Sequence, residues 1–220
     1  TKGRHYAWFD PDLLYLAGQG HPILQVNTSG VVGYGEAYRK RGLENGQKQL
    51  LMDLEDSANW LKSTFVSDDL FAFGMTMGGY SLYSLAIQSP DLFDGIAIYA
   101  SPMDLRTLDE NLAEKDALAD RDYLKLMVAG AQRESVELMH LSPIHTAEQL
   151  KTPTLMVHAE RDARVPLRDF EKFVERAEES GAPLQSRTIG RRMTGMQDPA
   201  VREQYLDLIL RFFRRNSSSK

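Results

Sequence analysis

The sequence contains no cysteine, which excludes disulfide bonds and thiolate metal ligands but suits reducing and oxidising compartments alike. Long hydrophobic runs are also missing. Stretches such as Leu70–Phe73 fall far short of the roughly 20 apolar residues that cross a bilayer, so we expect a soluble chain without a membrane partner. Positive charge is not in excess: 26 Lys and Arg stand against 31 Asp and Glu, and we expect no nucleic acid partner.

What is present fits one domain of ordinary size. The 220 residues are 42% hydrophobic, enough to bury a substantial core, and no internal repeat divides them. Residues 1–220 are therefore predicted to form a single domain. Nothing near Thr1 has the charged and apolar regions of a signal peptide.

Short apolar runs alternate with amphipathic helical patterns, which is typical of βα units and a mainly parallel sheet. Helices are predicted near Gln49–Lys62, from Pro166 to Gly181, and over about Pro199–Arg215. In the first of them, Leu50, Leu54, Trp60 and Leu61 indicate one buried side. Residues 105–149 are charged and helix-prone, which predicts a helical excursion between two strands rather than a second domain. The fold class is therefore α/β. The predicted strands are Pro22–Asn27, Leu70–Gly74, Gly95–Ala100, Thr154–His158 and Gln185–Ile189.

The segment Leu70–Tyr80, LFAFGMTMGGY, predicts a strand, a glycine-rich turn and a helix that begins near Gly79. In a nucleophile elbow, the pattern GxSxG forms a strained turn that lifts the central side chain above the sheet, and the glycines remove clashes around it. Thr76 occupies the centre here. Phosphate loops and plain tight packing use similar turns, so the segment by itself leaves those alternatives open.

An ordered set of segments gives the elbow a context. The set comprises NTSGVVGYG (Asn27–Gly35), Trp60-Leu61, GMTMGGY, SPDLFDG (Ser89–Gly95), PTLMVHAERDARVP (Pro153–Pro166) and a final Phe-Phe pair. In order and spacing it resembles the catalytic domain of the prolyl oligopeptidase family of serine peptidases, over nearly all of Trp8–Arg215. The resemblance implies an α/β-hydrolase fold, a mainly parallel sheet flanked by helices, with a Ser, Asp and His triad at its C-terminal edge.

The resemblance assigns roles to four positions. Asp162 matches the aspartate of the triad. Thr76 stands where the family has serine, and Thr194, in Met193-Thr194-Gly195-Met196, stands where the family has the histidine of GHGF. The backbone N–H of Met77 would be one oxyanion donor, while the family's second donor lies in an HGGP-type segment that precedes this chain.

The two threonines predict a degraded catalytic site. A threonine hydroxyl needs a base to accept its proton, and Thr194 cannot act as one. Site chemistry therefore favours an inactive domain that serves as a scaffold, interaction or oligomerisation unit. The fold resemblance favours the alternative, an active peptidase or esterase on short peptides or acyl compounds.

The other histidines are candidate substitutes for the missing base. His140 and His145 bracket a Ser-Pro pair in the helical excursion, and one of them could reach Thr76, but loop histidines without a role are far commoner. His158 is predicted to be hydrogen-bonded structurally. No pair of histidines has metal-ligand spacing, so no metal and no cofactor is expected.

Two further patterns have ordinary interpretations. The glycines of Gly30–Gly35 lack the GxGxxG spacing of a dinucleotide site, and no helix is predicted directly after them. Arginines at the end of the last helix (Arg211, Arg214 and Arg215) complement the helix dipole and are a weaker indication of a polyanion site.

Three structural expectations follow. Thr76 should lie at a sharp strand-to-helix turn with unusual torsions. Asp162 should be paired with Arg192, with Arg164 or with backbone donors. The family's strand between Pro22–Asn27 and Leu70–Gly74 precedes Thr1, so we expect this chain to be the C-terminal part of a larger protein. The alternatives are a partner chain that inserts a strand, or direct pairing of Pro22–Asn27 with Leu70–Gly74. The candidate partners are a peptide or acyl ligand, a homo-oligomer partner and an upstream domain of the same protein.

Overall fold

A computed structural model describes residues 5, 9–65, 69–132, 136–162, 164–190 and 199–218. Four strands form one parallel sheet in the order β1-β2-β3-β4. They are β1 (Phe71–Met75), β2 (Gly95–Tyr99), β3 (Thr154–His158) and β4 (Leu184–Thr188). The prediction of a parallel sheet is confirmed, and these four strands lie within one residue of their predicted bounds.

Eight α-helices accompany the sheet in the described part of the chain, and none is long and apolar enough to cross a membrane. Four short 3-10 turns lie between Gly130 and Gln149, so the predicted helical excursion between β2 and β3 is confirmed. The helices are α1 (Pro11–Gly18), α2 (Glu36–Asn45), α3 (Gln47–Thr64), α4 (Met77–Gln88), α5 (Leu105–Glu114), α6 (Leu118–Ala129), α7 (Leu167–Glu179) and α8 (Pro199–Asn216).

The sheet is covered by helices on both faces, which explains why β2 and β3 are continuously apolar. Ile96 and Ile98 of β2 face one core, which α3, α4 and α7 close. Ala97 and Tyr99 face the other core, where α8 packs with its buried side chains. Successive strand residues point to opposite faces, so the two cores share one strand.

Pro22–Asn27 was predicted as a strand, and this was wrong. Residues 21–28 have no regular secondary structure, because among the described residues no strand lies beside them to complete a hydrogen-bond ladder. Asn27 is instead fixed by side chains: its carbonyl accepts a hydrogen bond from the Tyr38 hydroxyl at 2.6 Å. Direct pairing of this segment with β1 is likewise not formed within the described residues.

Two smaller expectations also fail. Helix α2 begins at Glu36, directly after the positive-φ residue Gly35, although no helix was predicted there. Its sequence, EAYRKRGLEN, is mostly polar and has few apolar residues to mark a helical period. Trp60 of α3 is 51% exposed rather than buried, and its ring contacts Phe65 edge-on with 6.1 Å between centroids.

Candidate active site

Thr76 forms the turn between β1 and α4, and its backbone has φ 50° and ψ −123°. A positive φ is unusual for a β-branched residue and is a strained conformation. Its N–H donates to the Tyr99 carbonyl at 2.9 Å, which ties the turn to β2. The predicted sharp turn is confirmed, although α4 begins at Met77 and not near Gly79.

Two glycines of the turn are required by close packing. A Cβ on Gly74 would lie 2.8 Å from the Gly78 carbonyl oxygen, and a Cβ on Gly79 would lie 2.0 Å from Ser101 Oγ. Both distances are shorter than real Cβ atoms tolerate. A Cβ on Gly78 would meet nothing within 4 Å. Backbone approach therefore explains Gly74, the side chains of Ser101 and Ile98 explain Gly79, and neither explains Gly78.

Met77 is the first residue of α4, so its backbone N–H has no carbonyl acceptor within the helix. The positive end of the helix dipole adds to the attraction that this N–H offers an anion. Its side chain packs against a buried cluster that includes Tyr80, Leu105 and Leu124. The helical excursion thus forms one wall beside the elbow.

Asp162 lies in the loop after β3, at the same edge of the sheet as the elbow, because the strands are parallel. Its Oδ1 accepts hydrogen bonds from the backbone N–H groups of Arg164 and Val165, at 2.8 and 3.0 Å. This confirms that backbone donors hold the carboxyl; Arg164 contributes its N–H and not its guanidinium. Arg192 falls outside the described residues.

The second carboxyl oxygen of Asp162, Oδ2, is buried and has no hydrogen-bond partner among the described residues. The same is true of the hydroxyls of Tyr99 and Tyr205, whose rings lie 4.9 Å apart. Burial raises the pKa of Tyr99, and the nearby charge of Asp162 raises it further. These tyrosines are neutral phenols at neutral pH.

Thr194 belongs to residues 191–198, which lie outside the described part of the chain, so its place beside Asp162 stays a prediction. No described histidine makes a hydrogen bond to Thr76 or to Asp162. His140 pairs with Glu137 at 2.8 Å, and His145 ends a 3-10 turn.

His158 was predicted to be hydrogen-bonded, and this was wrong. Its ring is buried against Phe170, with 5.1 Å between ring centroids, and neither nitrogen has a hydrogen-bond partner within the described residues. The backbone of Val165 and Pro166 lies nearby without normal hydrogen-bond geometry. Burial lowers the pKa of His158, and the charge of Asp162 offsets this only in part. It is a neutral core residue.

Ser101 is the site residue that sequence reasoning missed. It follows β2, it is 4% exposed, and its Oγ donates to the Thr76 carbonyl at 2.8 Å. A small polar residue directly after a buried strand was the available signal, because the carboxyl ends of neighbouring parallel strands meet at one edge.

Other candidate ligand groups have structural partners. The described residues contain no cluster of three or more His, Asp or Glu side chains able to hold a metal ion. Gly30 packs its backbone against Gly42 of α2, and none of the described residues before this loop forms the strand that a dinucleotide site requires. Arg211 pairs with Asp207 at 3.7 Å, and Arg214 donates to Gln19 at 3.1 Å.

Sequence comparison identifies relatives. The model of the prolyl oligopeptidase family matches residues 7–220. Dipeptidyl aminopeptidase BIII of Pseudoxanthomonas mexicana is 26% identical over 175 residues, which are 77% of this chain and 25% of that protein. Dipeptidyl peptidase family member 6 of Caenorhabditis elegans is 22% identical over 187 residues, 83% of this chain. The chain thus spans a quarter of the length of each of these two curated relatives.

Solved structures share the fold. A puromycin-hydrolysing peptidase of Mycobacterium tuberculosis superposes with a TM-score of 0.85 at 23% identity, covering 100% of this chain and 33% of that one. An acylaminoacyl peptidase of Pyrococcus horikoshii gives 0.77 at 21% identity, covering 100% and 36%. The predicted α/β-hydrolase fold, a mainly parallel sheet flanked by helices, is confirmed.

Proposed function

Because the chain belongs to the prolyl oligopeptidase family, we propose that it is a serine-peptidase-like domain that has lost hydrolytic activity and acts as a scaffold or interaction domain. One observation carries the proposal: the elbow presents Thr76, but no described histidine makes a hydrogen bond to Thr76 or Asp162. Without a base, the hydroxyl proton has no acceptor when the oxygen attacks a carbonyl.

The rest of the machinery supports binding rather than turnover. The elbow backbone, the N–H of Met77 and the carboxyl of Asp162 would form the binding site, with a peptide or acyl group across the edge of the sheet. Loss of one triad member typically leaves only about 10³- to 10⁴-fold acceleration over water, from binding and the oxyanion donors. Two triad positions are altered here.

An active peptidase or esterase is the second candidate. The strained torsions of Thr76 favour it, because such strain persists mainly where function or packing requires it. In that case a base must come from outside the described residues or from a histidine that moves. His140 and His145 are the residues to replace first by glutamine.

A fluorophosphonate probe separates the two candidates. When a nucleophile reacts, its oxygen bonds to phosphorus, fluoride leaves, and the hydroxyl proton passes to a base. We expect no labelling of the unaltered chain, of Thr76→Ser alone or of Thr194→His alone. The double variant Thr76→Ser/Thr194→His should be labelled at least about 10³-fold faster than the detection limit set by those three chains. Thr76→Ala/Thr194→His is the matched control without a nucleophile.

Labelling of Thr76 in the unaltered chain would establish the active alternative. Labelling of Thr76→Ser alone, at the rate of the double variant, would reveal a base elsewhere in the chain. An unlabelled double variant would show that the two threonines are not what prevents the chemistry.

A further inference from the structure

We propose that Ser101 is a positioning residue that fixes the direction of the Met77 backbone N–H at the elbow. The inference rests on the proposed function only in taking that N–H as the oxyanion donor. Ser101 itself does not contact a ligand, because its side chain is buried behind the turn. It acts through the peptide group that joins Thr76 to Met77.

The Thr76 carbonyl oxygen is held between two donors. Ser101 Oγ lies 2.8 Å from it, and the Tyr80 backbone N–H lies 3.1 Å from it. The Tyr80 bond is the first turn of α4 and would form in any helix starting here. The Ser101 bond comes from a different strand, so it fixes the carbonyl relative to the sheet.

Peptide planarity transmits this restraint to Met77. The bond between Thr76 and Met77 is trans, since no cis peptide bond is found in the described residues. In a planar trans peptide the C=O and the N–H point in opposite directions. Holding the oxygen toward Ser101 therefore aims the Met77 N–H away from Ser101.

The restraint is needed because the turn is strained. Rotation of this one peptide plane would change ψ of Thr76 from −123°, so that Thr76 leaves its strained combination of φ and ψ, and it would swing the Met77 N–H away at the same time. Strained torsions of this kind persist only where the surroundings hold them. Ser101 supplies a buried donor that would lose its acceptor if the plane rotated.

Two other features of the sequence serve the same contact. Gly79 leaves the space that Ser101 Oγ occupies, since a Cβ there would lie 2.0 Å from that oxygen. Ala100 has φ 48°, a second strained torsion, which turns the chain at the end of β2 and directs Ser101 back to the elbow. The contact thus explains a glycine and a strained alanine that the elbow motif does not.

The experiment compares Ser101→Ala with Ser84→Ala. Ser84 is a matched control, because its Oγ donates to the Tyr80 carbonyl at 2.9 Å and makes no bond to Thr76. In the unaltered background, we expect Ser101→Ala, but not Ser84→Ala, to shift the Met77 amide resonance. Ser101→Cys preserves the side-chain volume with a weaker donor, so it should give an intermediate shift.

A kinetic arm uses the Thr76→Ser/Thr194→His background. Removing an oxyanion donor outright costs about 10²- to 10³-fold, so misdirecting one should slow the maximal labelling rate about tenfold or more and leave probe affinity unchanged. Equal effects of Ser101→Ala and Ser84→Ala on labelling and on the Met77 amide would overturn the inference and leave Ser101 a packing residue. If the background is not labelled, the explanation of inactivity by the two threonines fails, and the amide measurements alone decide the role of Ser101.

Discussion

β1 leads to Thr76 and β3 leads to Asp162, the two described positions of the candidate active site. The two strands differ in burial and pairing, and the turns that follow them differ in hydrogen bonding. Every residue of β3 is buried and the strand is paired on both sides, yet the loop after it leaves Asp162 Oδ2 without a described donor. β1 is partly exposed and paired on one side only, yet the turn after it has hydrogen bonds at the N–H and the carbonyl of Thr76. Order at the elbow thus comes from contacts of the turn, not from burial of its strand.

The largest expected effect concerns the edge of β1 that faces away from β2, which has no hydrogen-bonded strand among the described residues. The Thr76 N–H faces β2, and N–H groups alternate along a strand, so those of Phe71, Phe73 and Met75 point away from β2. We predict that a longer chain, extended upstream of Thr1, pairs a strand here and raises the free energy of unfolding by more than about 3 kcal/mol.

Amide hydrogen exchange measures directly whether a further strand pairs with this edge of β1. The amides of Phe73 and Met75 should exchange rapidly in the present chain and become protected in the longer one, while Ala97 of β2 is protected in both. Protection that depends on protein concentration would instead indicate that a second copy pairs with this edge. Equal exchange in both chains, independent of concentration, would contradict the prediction.

The next effect concerns the elbow glycines. Gly79→Ala should lower the free energy of unfolding by about 3 kcal/mol, because its Cβ would overlap Ser101 Oγ and lie 2.9 Å from Ile98 Cγ2. Gly78→Ala is the matched variant in the same helical turn and should be neutral or stabilising by up to about 1 kcal/mol, since its Cβ meets nothing. Urea unfolding of both variants checks this, and similar losses would show that packing does not distinguish the two glycines.

A smaller loss is expected in the loop after β3. Asp162→Ala removes the acceptor of two backbone N–H groups and should cost about 1 to 2 kcal/mol. Asp162→Asn keeps an acceptor oxygen for both, so it should cost less. Thermal unfolding of the pair distinguishes them. If the two variants are equally destabilised, the charge of Asp162 and not its hydrogen bonds stabilises the loop.

The smallest effect is a pH dependence at the start of α7. Burial raises the pKa of Asp169, Asp104 raises it further, and Arg168 and Lys172 oppose the change. A carboxyl with a raised folded-state pKa stabilises the fold fully below its unfolded pKa, and this contribution is lost as pH rises through the folded value. Its Oδ2 also lacks a described partner.

Asp169→Asn should therefore raise the free energy of unfolding at pH 7 by about 1 kcal/mol and reduce the loss of stability between acidic and neutral pH. Asp91→Asn, at an exposed position, serves as the control and should change stability little. Chemical unfolding at pH 4 and pH 7 gives both quantities. Destabilisation of Asp169→Asn at pH 7 would show that the ionised carboxyl is satisfied in the fold.

Local sequence patterns were sufficient to predict those elements that residues close together in the chain define. The four strands of the sheet, the amphipathic helices α7 and α8 and the turn at Thr76 were all predictable, because apolar runs, periodicity and glycine spacing act over a few residues. Pro22–Asn27 failed for the converse reason: an apolar run becomes a strand only when another strand lies beside it. The replacement of the triad histidine by Thr194 remains a sequence inference.

The sequence by itself determined the family, the α/β-hydrolase order of elements and the residue at the elbow, since each depends on the order and spacing of residues along the chain. Only the tertiary structure decided that Ser101 reaches the Thr76 carbonyl, that Gly79 makes room for it, and that His158 is an unpaired core residue. Those contacts join residues from different strands and helices. Their distances follow from how the layers pack, which no local pattern specifies.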